Sequence, residues 1–429
     1  MKRFNLYILV LILLEIYSTA FSQTPYWKKH QSPVNVTLRN LIFIDSLTGW
    51  AAGDYGTIIH TTDGGKNWEI QNSSVQTFIL DIHFINKDVG WALTWKDVFP
   101  FNSVILKTTN GGTEWSAEDY PDNSALMRTI FFFDSLNGFI GGSHIAYTSD
   151  GGNNWTKAVI DSGQLSALPV IRFKFLNREF GYACGGRIDL AGVIWRTTNS
   201  GLNWWSIPVS ADEIFDVFIF DSLHAISLSG DPEGFFGIAN IKTSNAGLSW
   251  TSESLPLFGL SFAIDFRTIN EGWSASGYKF LFTSDKGQNW QELTTPNNSI
   301  IYDLQFCNSR TGYAAGDNGI ILKFGEATTD LNYEIGSPDN FILYQNYPNP
   351  FNPSTIIGWR SPVSGWQTLK VYDVLGNEVA TLMDEYKPAG TYEVEFHPES
   401  VDRHLVSGIY FYQLRAGNFI ETKKILYLK

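Results

Sequence analysis

The chain has 429 residues, enough for two domains, and carries 43 acidic against 30 basic side chains for a formal net charge of −13. Such a balance argues against nucleic acid, which selects for basic grooves, and fits an acidic surface protein. Aromatic residues make up 15% and glycines number 38, and helical periodicity is missing beyond the N-terminal segment, so the expected class is all-β.

Lys2 and Arg3 precede an apolar run, LYILVLILL (6–14), and Ala20-Phe21-Ser22 places small residues at the −3 and −1 positions of a signal peptidase site. Residues 1–22 read as an export signal. The run is too short to span a bilayer, so no membrane span is expected in the mature protein.

One phrase then recurs six times: TTDGGKNW, TTNGGTEW, TSDGGNNW, TTNSGLNW, TSNAGLSW and TSDKGQNW, ending at Trp68, Trp115, Trp155, Trp204, Trp250 and Trp290. Its polar residue (Asp63, Asn110, Asp150, Asn199, Asn245, Asp285) can accept hydrogen bonds from the backbone two residues on, and its glycine supplies a positive φ. The tryptophan anchors the returning strand. Three of the six polar residues are Asn, which points to a structural role and no metal.

A short-strand unit of about 40 to 50 residues is the mark of a β-propeller blade. Each unit reads as an apolar strand A, a Gly-aromatic pair opening strand B, strand C entering the box and strand D beginning at the Trp. The pairs are Gly49-Trp50, Gly90-Trp91, Gly138-Phe139, Gly181-Tyr182, Gly272-Trp273 and Gly312-Tyr313, with Ala225-Ile226 in the fifth unit, which makes seven blades over 23–324. The seventh lacks a box, and YWKKHQSP (26–33) matches NWEIQNSS (67–74), so the N-terminus is expected to supply its strand D and close the ring. Cys184 and Cys307 fall three blades apart, too far to bridge, and are expected to be free and buried.

The box resembles the Asp-box of sialidases and related propellers. The fuller pattern GWAAGDYGTIIHTTDGGKNW is most similar to the photosystem II assembly and stability factor propellers, over about residues 26 to 324. That resemblance implies the fold. It does not imply one function, since such propellers include glycosidases, sorting receptors and assembly factors whose binding face lies opposite the boxes. Asp45-Ser46-Leu47, Asp134-Ser135-Leu136 and Asp221-Ser222-Leu223, in the A–B turns, resemble O-glycosylation sites of exported Bacteroidota proteins; Asp and Ser are equally ordinary turn residues.

Candidate site residues come from strand A and from the loops of the opposite face. Counted back from the Gly-aromatic pair, the eighth and sixth positions are uniformly apolar and should pack between blades. The ninth and seventh, which should face the central channel, include Asp81, His83, Arg172, Lys174, Asp216, Asp265 and Asp303. These either form a solvated lining or a ligand site. The B–C loops are long in blade 2 (94–102), blade 4 (185–192, with Arg187 and Asp189) and blade 5 (229–237). Trp95, Phe99, Phe101, Phe235 and Phe236 in them either grip a glycan or protein partner or fold down as a local core. The resulting expectation is a non-catalytic binding or scaffold module without cofactor. The alternative is a glycoside hydrolase using the channel carboxylates, although the sialidase resemblance implies an arginine triad of which only Arg172 has a channel-facing counterpart.

After a polar linker (325–338), the segments FILYQNYPNPFNPSTIIGW, LKVYDVLGNEVATL, AGTYEVEF, SGIYFYQLRAGNF and KKILYLK read as strands of a small antiparallel β-sandwich over 339–429. They resemble the type A C-terminal sorting domain of the type IX secretion system. That resemblance implies a Bacteroidota-type bacterium, the secretion machinery as partner, removal of the domain and a destination at the cell surface or outside it.

Overall fold

The computed structural model describes residues 26–161 and 164–325, then 341–346, 349–361, 365–387, 390–398, 405–417 and 419–428. The export signal, and the linker beyond Gly325, lie outside the described residues. Among the described residues no helix is long and apolar enough to cross a membrane. The chain divides into two units, within 1–327 and 328–429.

Seven antiparallel sheets in sequence order build the first unit, each with strand A paired to B, B to C and C to D. In the first blade these are Leu38–Phe43, Gly49–Gly53, Ile58–Thr61 and Glu69–Gln71. Blade 4 adds Val159–Ile160, parallel to its strand D (Asn203–Ser210). Blade 7 (Ile301–Asn308, Thr311–Gly316, Ile321–Gly325) is completed by Tyr26–His30, with Trp27 opposite Phe324. The N-terminal strand therefore closes the ring as the sequence match implies.

The Gly-aromatic pair is explained by the joint between blades. The aromatic at the sixth position before the glycine lies across it: a Cβ on Gly49, Gly90, Gly138 or Gly181 would come within about 2.5 Å of Phe43, Phe84, Phe132 or Phe175. That ring stacks face-to-face on the aromatic of the preceding blade, Phe84 on Trp50 at 3.6 Å and Phe132 on Trp91 at 3.7 Å. The box Trp of its own blade meets it edge-on, as Trp115 meets Phe84 at 5.8 Å. Blade 5 departs at both positions together, Ala225 for Gly and Ile219 for Phe, because the smaller side chain leaves room for the methyl. Gly90→Ala should thus overpack the joint and cost about 1–3 kcal/mol in urea unfolding. A cost near zero would show that Phe84 can swing aside.

The boxes are self-contained turns. Thr61 Oγ1 donates to Asp63 Oδ1 and accepts from Gly65 N, while Asp63 Oδ1 accepts from Asn67 N. The same pattern recurs at Asn110, Asp150, Asn199, Asn245 and Asp285. The backbone donor is four residues on, not two, since a pair of left-handed residues such as Gly64 and Gly65 (φ 73° and 76°) turns the chain back beneath the carboxylate. The A–B turns are likewise closed from within: Asp134 Oδ1 accepts from Leu136 N and Asn137 N, and Asp45 and Asp221 do the same. Both cysteines are free, Cys184 buried and Cys307 only half-buried.

In the second unit a three-stranded sheet (Ile342–Leu343, Thr355–Ser361, Gly390–Phe396) and a four-stranded one (Glu378–Lys387, Gly365–Tyr372, Gly408–Ala416, Phe419–Tyr427) enclose one core. Trp359, Ile357 and Phe396 from the first sheet pack with Leu369, Val371, Tyr412 and Ile425 from the second. Trp359 Nε1 donates to Gln367 Oε1 at 2.8 Å, which satisfies the buried indole N–H. This is the expected sandwich.

Candidate functional site

The seven A strands line the shaft, and of the side chains expected to face it Arg172, Lys174, Asp216 and Asp303 meet there. Arg172 of blade 4 reaches Asp303 of blade 7 (3.3 Å) and Asn40 of blade 1 (3.4 Å), with Asp216 of blade 5 at 3.9 Å. Contacts to three other blades are possible only across the channel. Lys174 lies 3.4 Å from Asp216.

The carboxylates hold neighbouring blades together. Asp303 accepts from Leu41 N of blade 1, Asp81 from Ile130 N and Thr129 Oγ1 of blade 3, Asp216 from Ile264 N of blade 6, and Asp265 from Phe306 N of blade 7. Gln305 both donates to and accepts from Phe43. His83 Nε2 donates to Phe132 O at 2.8 Å. Each of these side chains caps the otherwise unpaired inner edge of the next A strand.

Burial raises Asp81 and Asp265 to about 6 and lowers His83 to about 4. The signs oppose. A carboxyl with a raised folded-state pKa contributes stability at low pH and loses it as pH rises through 6; the depressed imidazole contributes above 6.5 and loses it as pH falls through 4. On acidification from pH 7 to 5, His83→Gln should therefore gain thermal stability relative to the parent. An identical pH response of the two proteins would show that His83 is not buried neutral.

The loop face separates the expected residues into anchored and free groups. Trp95 is half-buried, donates to Met127 O and packs edge-on against Phe78 at 5.9 Å, so it belongs to the scaffold of that face. Phe99 and Phe101 stand out from the blade 2 loop, 88% and 57% exposed. The loop base is fixed by Lys96 N donating to Asn102 O and by Asn102 donating to Tyr120 O. In blade 5, Asp231 accepts from the N–H groups of Glu233, Phe235 and Phe236, a turn that leaves both rings about three-quarters exposed (75% and 73%). Blade 4 differs from expectation. Its B and C strands run on to Arg187 and Ala191, leaving a three-residue tip that carries Asp189, so the segment is a projecting hairpin and not a loop insertion.

Sequence reasoning missed a ring of residues at the channel mouth. In blades 1, 2, 3, 4 and 7 the A–B pairing slips by one residue at the tenth position before the glycine, a bulge that frees that residue from the alternation. Across the seven blades the position is Arg39, Leu80, Arg128, Ile171, Phe215, Phe262 and Tyr302. Phe215, Phe262 and Tyr302 meet in succession at 5.4 and 5.3 Å. The Arg39 guanidinium sits 5.9 Å from the Tyr302 ring and 5.8 Å from Phe78, its Nε bonded to Asp54. The mixture of arginine and aromatics in one aligned column was the available signal.

Two crevices open elsewhere, between blades 1 and 2 (about 680 Å³, including His60, Glu69 and Asn110) and between blades 5 and 6 (about 370 Å³, including Lys242 and Lys286). Both border Asp-boxes, away from the exposed loop aromatics. Among the described residues no cluster of His, Cys, Asp and Glu is placed to hold a metal ion.

Comparison with known proteins agrees with this architecture. Residues 19–116 and 67–212 match the family model of the photosynthesis system II assembly factor YCF48, and residues 345–427 match the secretion system C-terminal sorting domain. The photosystem II assembly lipoprotein Ycf48 of Nostoc sp. is 25% identical over 333 residues, which cover 74% of this chain and 92% of the relative. Among solved structures, a YCF48 bound to D1 peptide superposes with a TM-score of 0.57 at 21% identity, covering 71% of this chain and 98% of that one. PorZ, a surface component of the type IX secretion system of Porphyromonas gingivalis, superposes at 0.51 and 14% identity, covering 93% of this chain and 60% of that one. A GH74 enzyme from Niastella koreensis does so at 0.53 and 12%, covering 78% and 59%.

Proposed function

From a chain that joins a propeller related to Ycf48 and PorZ to a type IX secretion sorting domain, and so is marked for export to the outer membrane and cell surface, we propose a non-catalytic binding or scaffold module. Its partner is a glycan or protein held on the loop-rich face. The observation that carries this reading is the division of labour between shaft and loops. The four shaft carboxylates are bonded to backbone N–H groups of adjacent blades and matched by Arg172 and Lys174, an arrangement that holds strands. Phe99, Phe101, Phe235 and Phe236 project from rigid loop bases with their faces open to solvent, the disposition of side chains that grip a partner. Blades 2 and 5 stand on opposite sides of the ring, so a ligand touching both crosses the channel mouth. The Ycf48 relative bound to a D1 peptide is a propeller of this shape used for binding, in keeping with the proposal.

The GH74 neighbours lend a hydrolase reading only the fold, since their identity to this chain is 12%. Against it, protonation of Asp81 or Asp265 near pH 6 would serve an acid catalyst only if an oxygen were free to reach a substrate, and both residues are bonded within the shaft.

The test is a glycan and peptide array on the mature chain, followed by calorimetry with a ligand it returns. Phe99→Ala combined with Phe235→Ala should weaken binding by about 1–4 kcal/mol and leave the melting temperature unchanged. Unaltered affinity in that double variant would exclude the loop face.

A further inference from the structure

Resting on the loop-rich face as the binding face, we propose that the channel mouth takes an acidic saccharide of the uronic-acid class. Its carboxylates are held by Arg128 and Arg39, and its sugar rings lie against Phe215, Phe262 and Tyr302. Arg128 is the starting point. It is half-buried at the mouth, yet among the described residues it has no hydrogen bond and no ion pair; the charge that feels it is Glu213. The five N–H donors of Arg128 meet no protein acceptor among the described residues and stay open at the mouth, where a planar carboxylate fits the fork. Arg39 adds a second fork. Asp54 takes only its Nε, and Phe78 and Tyr302 flank the guanidinium, which leaves the two terminal nitrogens to a ligand.

The remaining wall is aromatic. Phe215, Phe262 and Tyr302 form a continuous arc from blades 5, 6 and 7, each ring tilted to the next (64° and 57°) and each half-buried. Such an arc offers ring faces and edges but few polar atoms. A polypeptide captured by strand addition needs free N–H groups along an edge. Here the inner-edge N–H groups of Leu41, Phe43, Ile130, Ile264 and Phe306 are already taken by side chains of the preceding blade. What stays available is stacking surface beside two guanidinium groups, which suits a pyranose bearing a carboxylate better than an extended peptide or a neutral sugar.

The experiment uses the mature chain and three probes in calorimetry: oligogalacturonate, its methyl ester, and a peptide ending in an aromatic residue with a free carboxylate. Oligogalacturonate should bind, and the ester should bind at least about tenfold more weakly, the loss of one charge-assisted contact. Arg128→Gln should lower affinity for the acid by about tenfold or more and leave the ester unaffected, with Arg128→Lys intermediate because it keeps charge but not the fork. Melting temperatures identify any variant that fails to fold, and Leu248→Ala, at an exposed position on an Asp-box turn of the opposite face, serves as a folded control. Equal affinity for acid and ester, indifference to Arg128, no binding of oligogalacturonate, or preference for the peptide would each overturn the assignment. A ligand sensitive to Phe99 and Phe235 but indifferent to Arg128 would leave the binding face standing and remove only the acidic saccharide. No ligand on that face would remove both.

Discussion

Arg172→Met should destabilise the propeller by about 3–5 kcal/mol, because breaking a buried ionic network from one side leaves the partner charges uncompensated. Asp303 and Asp216 are both buried, at about 2% exposure, and Arg172 is the cation shared between them. Asp303 is also the residue that holds Leu41 N across the blade 7 to blade 1 boundary. With the guanidinium gone, Lys174 remains as a cation near Asp216, while Asp303 must either bury an unpaired charge or take up a proton. Burial already pushes its pKa upward, and Arg172 opposes that push. The double variant Arg172→Met with Asp303→Asn should recover part of the loss, since the amide keeps an acceptor for Leu41 N without the charge. Chemical unfolding of the four proteins of this cycle gives the coupling directly. A coupling near zero would mean that the shaft behaves as bulk water, and that the carboxylates are held only by their backbone donors.

The propeller was legible because a repeat writes its own alignment. Seven copies of one unit set the blade count, and a glycine beneath a phenylalanine, repeated six times and relaxed as Ala225 with Ile219, records a contact. The N-terminal closure was visible for the same reason, as one strand of the repeat displaced to the other end of the chain. Position along strand A was legible as far as the alternation holds. Asp81, Asp216, Asp265 and Asp303 do face the shaft, but their partners on the next A strand depend on the stagger between adjacent blades, which no single-chain periodicity encodes. Beyond the bulge the alternation fails, so Arg39, Arg128 and Tyr302 were passed over although they crown the same strands. Loop behaviour was the least legible. Trp95 and Phe99 belong to one short segment, and only the carbonyl of Met127 within reach of the indole makes the first a support and the second a free ring.

Deleting residues 26–33 should open the ring. Tyr26–His30 pairs along its whole length with Ile321–Gly325, so its loss exposes an unprotected strand edge, a template for edge-to-edge association. The strand also carries Trp27, whose ring stacks on Phe280 at 5.0 Å and meets Trp273 and Phe324 at 5.9 and 5.3 Å. Phe280 and Trp273 belong to blade 6, so one side chain fills both the last sheet and its joint with the sheet before. Trp27→Ala alone should cost about 3–5 kcal/mol, the usual range for removing a large core aromatic. The deletion should go further and yield soluble aggregates on size-exclusion chromatography, with fast hydrogen exchange along 321–325. Adding a synthetic peptide of residues 23–33 in trans should restore protection there and return the protein to the monomer peak, because the missing element is one strand whose register is fixed by its neighbour and by the Trp27 pocket. A truncated protein that stays monomeric with an unchanged melting temperature, and that ignores the peptide, would show that three strands suffice for the seventh blade and that the ring does not depend on this closure.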